Sequence, residues 1–121
     1  MLLYDGSPFH PRPEALFDWA QQERVTFLRI TPKYVETIAK AGVRPIASPD
    51  LSAHKTSTVG GAPFGAKGYD YVYASVKRDV HLASPAGGTD PLCAFAAGSP
   101  ISPVWRGEMQ CRGLGLAIEV W

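Results

Sequence analysis

The sequence predicts an α/β fold, in which a mostly parallel sheet is joined by crossover helices. Three observations predict it. Apolar residues recur at helical spacing in three separate segments, short β-branched or aromatic runs follow them, and clusters of Gly, Pro and Asp mark the changes between the two patterns. The 121 residues suffice for one domain with a buried core and not for two.

Taken in order, "MLLY" (1–4) is an apolar run that opens the strand and helix alternation and is stopped by the turn cluster "DGSP". From Glu14 to Glu23, Leu16, Trp19 and Ala20 fall at i, i+3 and i+4. Pro13 suits a first helical position, and Glu14 suits the positive end of the helix dipole. "RVTFLRI" then reads as strand. Thr31 is the expected N-cap of a second helix, whose Tyr34, Val35, Ile38 and Ala39 share one face until Gly42 ends it. Turn residues run through Arg44 to Pro63, and "HKTSTV" within them is the weakest strand, more polar than a central buried strand should be. Gly68, Tyr69, Val72, Tyr73 and Val76 form the apolar stripe of a third helix. "DVHLAS" follows as strand, and "LCAFAA" as a further one. Beyond it, Leu114, Leu116, Ile118 and Val120 alternate with Gly115, Ala117, Glu119 and Trp121, the period of a half-buried strand. Residues 1–103 therefore read as an α/β part and residues 104–121 as the start of a β-rich subdomain. A strand that stops at Trp121 without cap or partner is expected to belong to something longer.

Charge excludes some functions. Twelve basic and eleven acidic residues leave a net charge of +1, and no basic run exceeds Lys77-Arg78, so nucleic acid is not an expected partner. No stretch approaches the ~20 apolar residues of a membrane span. "MLLYDGSP" does not read as a signal peptide, and a cytoplasmic protein is expected. Cys93 and Cys111 are expected to be reduced and partly buried. His10, His54 and His81 form no pair at metal-ligand spacing, so any metal is expected to arrive with a substrate.

The residues offer one candidate with chemistry, "SPAGGTD", Ser84 to Asp90, at a predicted strand end. Ligands of open parallel sheets bind beyond the carboxyl ends of the strands. Gly87 and Gly88 admit close approach to the backbone, Thr89 offers a hydroxyl to a phosphate, and Asp90 is a hard oxygen ligand suited to Mg²⁺. The same residues also make an ordinary turn, and the segment by itself leaves both readings open. "GGAPFGAK", Gly60 to Lys67, has the glycine spacing of a phosphate loop, but Ala66 stands where the lysine belongs and no hydroxyl follows Lys67. It reads as a strand-ending turn that could present backbone to a flat ring. Lys33, Lys55 and Lys77 are expected to be solvated, and Arg106 is expected to pair with Glu108. Cys93 lacks a visible base for nucleophilic work.

The segments "LLYDGSPFHPRPEALFDWAQQERVTF", "GYDYVYASVKRDVHLAS", "GGTD" and "PVWRGEMQCRGLGLAIEVW" together resemble the acetoacetyl-CoA synthetases of the acyl-adenylate-forming superfamily. The resemblance runs from about Leu2 to Trp121 and is most specific where "PVWRGE" is followed by "CRGLG". It implies a fragment of the large N-terminal AMP-binding domain of a lipid-metabolic ligase that uses ATP, Mg²⁺ and CoA. Acetoacetate would attack the α-phosphate of ATP to give an acyl-adenylate and pyrophosphate, and the CoA thiol would then displace AMP to give acetoacetyl-CoA. Thr89 would then contact the α-phosphate as the catalytic group, and Asp90 would take the place of the acidic Mg²⁺ ligand. Gly61, Ala62 and Pro63 would occupy the adenine-contacting turn, while Gly87 and Gly88 border the adenine and acyl pocket. Arg29 falls where the family has a small residue near that pocket, and Pro85 and Pro91 remove backbone donors beside the motif. The resemblance further implies that a phosphate loop with its lysine lies ahead of Met1, and that a ribose-binding Asp and a catalytic Lys lie beyond Trp121. The chain alone is therefore expected not to turn over. A second expectation is a binding module without catalysis, closing its open sheet edges by self-association.

Overall fold

In the computed structural model, which describes residues 1–119, the expected alternation is present from Ala15 onward. Helix α1 covers Ala15–Gln22, strand β1 Phe27–Ile30, helix α2 Pro32–Lys40 and strand β2 Thr56–Val59. Helix α3 spans Ala66–Tyr71 and runs on as a π-helical turn over Val72–Val76, closed by Lys77 N–H donating to the Val72 carbonyl at 3.0 Å. Strand β3 is His81–Ala83. The order β1-β2-β3 is parallel throughout, with Phe27 opposite Thr56 and Thr56 opposite His81. Strands β4 (Ala86–Gly87), β5 (Ala94–Ala97) and β6 (Cys111–Arg112) form a second, antiparallel sheet.

Local chemistry explains each boundary. Thr31 is extended and its Oγ1 accepts from Tyr34 N–H at 3.2 Å, while Pro32 opens α2 where no backbone donor is required. Alternate residues of β1, Leu28 and Ile30, turn into one apolar cluster with Phe17 of α1, Ile38 of α2, Val59 of β2, Tyr69 and Val72 of the third helix, and Leu82 of β3. Helices α2 and α3 both contribute to this one cluster and so cover the same face of the sheet, and the cluster is the core they enclose. On the other side Phe27 stays 54% exposed. Tyr71 ties the third helix to the end of α2 by donating to the Val43 carbonyl at 2.6 Å, and burial raises its phenol to about 12.

Several expectations are corrected. Residues 1–4 form no strand, because no neighbouring strand offers them a ladder, and Tyr4 rests edge-on against Trp19 at 5.5 Å instead. "HKTSTV" supplies the central strand despite its polarity, since Ser57 is satisfied by His54 Nε2 at 2.8 Å and both are buried. "LCAFAA" does form a strand, but it is antiparallel and outside the parallel sheet, since the chain reverses at Thr89–Leu92 without a crossover helix. Residues 114–119 form no strand, and Val120 and Trp121 of that expected strand lie outside the described residues. The antiparallel sheet draws on residues from both sides of position 103. Both cysteines are free, and both are exposed rather than partly buried, because Cys93 just precedes β5 and Cys111 opens the short outer strand β6 of the second sheet. Among the described residues no helix is long and apolar enough to cross a membrane.

The two sheets meet at one joint. A Cβ at Gly98 would stand 2.4 Å from the Ala83 Cβ, so only glycine lets the end of β5 approach β3 this closely. There Gln110 Oε1 accepts from Ser99 N–H at 3.1 Å and from His81 Nε2 at 3.0 Å, and its Nε2 donates to the Ser99 and Ser102 carbonyls.

His54 generates a pH prediction. Its ring is buried at the entry to β2, its Nδ1 has no hydrogen-bond partner, and burial holds its pKa below the ordinary histidine value. Nearby Lys77 pushes the same way, and the Val25 main chain opposes both. Below about pH 6.5 the unfolded chain takes up a proton that the folded chain refuses, so stability is complete above that pH and falls as the pH drops beneath it. Urea unfolding at pH 7.5 and pH 5.5 is expected to show a lower midpoint at pH 5.5, with a smaller difference in His54→Gln; equal differences in the two proteins would refute the assignment.

Candidate functional site

A cleft of about 600 Å³ opens beyond the carboxyl ends of β2 and β3. Its first wall is the turn after β2, Gly61, Ala62, Pro63 and Phe64; its second is the segment after β3, Ser84 to Gly87. Phe95 of β5 and the loop residues Gly107, Glu108 and Met109 complete it. Parallel strands end on the same edge, so the two turns necessarily face each other there. Two other clefts, of about 580 and 880 Å³, lie along the Pro45–Leu51 loop and between residues 1–4 and β1, and neither contains a predicted site residue.

The cleft brings together four of the seven residues singled out from the sequence: Gly61, Ala62, Pro63 and Gly87. Gly61 is exposed, and nothing lies within 4 Å of where its Cβ would be, which leaves the turn open to a flat ring. Gly87 is enclosed on its inner side: an added Cβ would lie 2.4 Å from the Cys93 carbonyl oxygen and 2.9 Å from Ala94 Cα. Glycine at this position is therefore required by the β4–β5 pairing. Gly88, Thr89 and Asp90 do not line the cleft. They continue from its rim into the exposed hairpin turn, where Leu92 N–H donates to the Thr89 carbonyl at 3.3 Å. The heptapeptide is thus a cleft wall in its first half and a turn in its second. Arg29 lies elsewhere, on β1 beside residues 1–4, because alternation along β1 turns it away from the core face.

Sequence reading missed the groups that hold the third wall. Arg106 does not pair with Glu108; its Nε and Nη2 donate to the two oxygens of Asp70 at 2.6 and 2.8 Å, reaching across from loop to helix. This contact holds the Asp70 carboxyl below the usual carboxylate range and raises Arg106. Tyr69, 1% exposed, donates to the Glu108 carbonyl at 3.1 Å, and burial raises its phenol while the Ser84 hydroxyl opposes the shift. Phe64 stacks on Tyr69 at 5.0 Å and floors the cleft. Partners 36 and 39 residues apart leave no local spacing signal; the aromatic stripe around Tyr69 was the available hint. Lys77 is likewise not solvated: its side chain is 12% exposed and meets Asp79 at 2.6 Å. Among the described residues no three His, Cys, Asp or Glu side chains cluster as a metal site.

The same segment occurs in a solved structure, the acetoacetyl-CoA synthetase from Streptomyces lividans, with a TM-score of 0.82 and 37% identity over 93% of this chain. An acetoacetyl-coenzyme A synthetase of Rhizobium meliloti is 46% identical over all 121 residues. The chain is similar to one segment of the acetoacetyl-CoA synthetases. The mouse acetoacetyl-CoA synthetase is 36% identical over the same length. The chain spans 19% of the Rhizobium protein, and 18% of the mouse protein and of the Streptomyces chain. No protein-family model matches it. Similarity in sequence and fold therefore agree on one segment of these synthetases, with an α/β architecture.

Gly87 and Gly88 differ in a testable way. Gly87→Ala forces β4 from β5 and is expected to cost roughly 1–3 kcal/mol. Gly88→Ala, whose Cβ would meet only the Pro91 ring at 3.6 Å, is expected to change stability by less than about 0.5 kcal/mol. Thermal unfolding of the two variants is the check, and equal losses would contradict the described β4–β5 contact.

Proposed function

We propose that the chain forms the adenine and acyl wall of an acetoacetate–CoA ligase, which activates acetoacetate with ATP to an acyl-adenylate and transfers the acyl group to CoA. One observation carries this reading: the glycine turn after β2 and Gly87 after β3 face each other across a single cleft at the carboxyl edge of a parallel sheet. The open space over Gly61 suits the adenine ring, and the apolar sides of Phe95 and Met109 suit a small acyl chain. Thr89, at the rim, would meet the α-phosphate with its hydroxyl. Asp90 would hold Mg²⁺ only together with phosphate oxygens of the nucleotide, as magnesium sites of one carboxylate commonly do. The relatives named acetoacetyl-CoA synthetase support ATP, CoA and acetoacetate as the reactants.

On this reading the 121 residues alone do not turn over. Among the described residues no lysine or arginine side chain lines the cleft, so nothing there neutralises charge developing at the α-phosphate or on the departing pyrophosphate. A second reading is a nucleotide-binding or self-associating module in the cytoplasm; self-association is favoured by the outer edge of β1, unpaired among the described residues, and the exposed Phe27 on that strand.

Calorimetric titration of the chain with ATP and Mg²⁺ tests both readings, run beside size exclusion at two concentrations. The ligase-segment reading expects no acyl-adenylate from acetoacetate and ATP; detectable product would overturn the inactivity. Measurable ATP uptake that weakens in Thr89→Ala and Asp90→Ala, or elution that shifts with concentration, favours the module. Uptake unaffected by either substitution removes both residues from the site.

A further inference from the structure

Resting on the nucleotide reading of the cleft, we propose that Asp70 and Tyr69 are positioning residues that clamp the Trp105–Met109 loop as the cleft's third wall. The ends of the loop are held by Val104, packed against the core, and by Gln110, hydrogen-bonded to His81 and Ser99; between them the loop has little else to hold it. Among the described residues its backbone contributes only the local turn in which Glu108 N–H donates to the Trp105 carbonyl, and the pairing of β6 starts after it, at Cys111. Trp105 and Met109 are 63% and 53% exposed, so burial does not fix the loop either.

Two side chains from adjacent positions of α3 supply what the backbone lacks. Asp70 takes the Arg106 guanidinium in bidentate fashion, which fixes its plane as well as its position. Tyr69, immobilised by burial and by the Phe64 ring, takes the Glu108 carbonyl. The two attachments fall two residues apart on the loop and bracket Gly107, which lies against the first turn of α3, where its Cβ would be 3.5 Å from Ala66. A segment held at one point can pivot; held on both sides of Gly107 it cannot, and Gly107, Glu108 and Met109 stay on the cleft. The two contacts also differ in kind. The ion pair is exposed to solvent and weakens with salt, whereas the buried tyrosine bond does not.

Amide hydrogen exchange of the whole 121-residue chain decides whether the clamp exists. Asp70→Ala and Arg106→Ala are each expected to speed exchange in residues 104–110 about threefold to fivefold. The charge-exchanged Asp70→Arg/Arg106→Asp protein should return toward the original rate, with β1–β3 unchanged throughout. Single variants that leave 104–110 unaltered overturn the proposal, as does a general loosening that the exchange of charges does not rescue. Titration with ATP and Mg²⁺ decides what the clamp is for: affinity should weaken by about the same factor and recover in the charge-exchanged protein. A loosened loop with unaltered affinity overturns the positioning role. An unaltered chain that takes up no ATP while its loop still responds removes nucleotide binding by this segment alone, and with it the module and the positioning role, and leaves the clamp standing.

Discussion

The arrangement depends on the side-chain amide of Gln110. The Ser99 N–H can only donate and the Ser99, Ser102 and Pro103 carbonyls can only accept, so the orientation of the amide is forced. Its oxygen faces Ser99 N–H, and His81 must then present an N–H from Nε2 to the same oxygen at 3.0 Å. One side chain thus closes the Ser99–Pro103 loop on itself and fastens it to β3.

The cleft follows from that joint. Strand β3 is one of the two outer strands of the parallel sheet, and the chain leaving it becomes β4 of the antiparallel one within three residues. If β5 stood farther off, Phe95 and the loop ahead of β6 would have no fixed distance from the turn after β2. Gly98 permits the approach and Gln110 holds it, so a two-sheet angle that backbone pairing does not determine is set by side chains. The parallel sheet needs no such device. Its three strands share a ladder and a core that includes Ile38, Val59 and Leu82, each fully buried.

This difference explains how much was legible in the sequence. Periodicity exposed α1, α2 and the third helix because each lays a regular apolar stripe on one core, and Thr31-Pro32 marked a helix start by local chemistry alone. It could not place β2 at the centre, because the polarity of Ser57 is cancelled by a histidine outside the strand. It also misread residues 114–119, whose alternation is real but finds no partner strand among the described residues. For the cleft, the turns after β2 and β3 were legible through their glycines and their place at strand ends. The clamp was not, since Asp70 and Arg106 acquire their meaning only when a helix and a distant loop are brought side by side.

The charges around the cleft limit what it can do on the proposed reading. Its lining carries one ionisable side chain, the Glu108 carboxylate, and the other lining groups are backbone, apolar or hydroxyl. Such a surface accepts a neutral purine and a small acyl group, since neither requires an opposing charge. A triphosphate is different: placed deep in this cleft it would face Glu108 with no cation to offset the repulsion. The phosphates are therefore best accommodated pointing outward, over the exposed Thr89 and Asp90, where solvent screens them and a divalent ion can be shared. The division of "SPAGGTD" into a wall and a protruding turn is then the expected geometry for a ligand that is flat and neutral at one end and highly charged at the other.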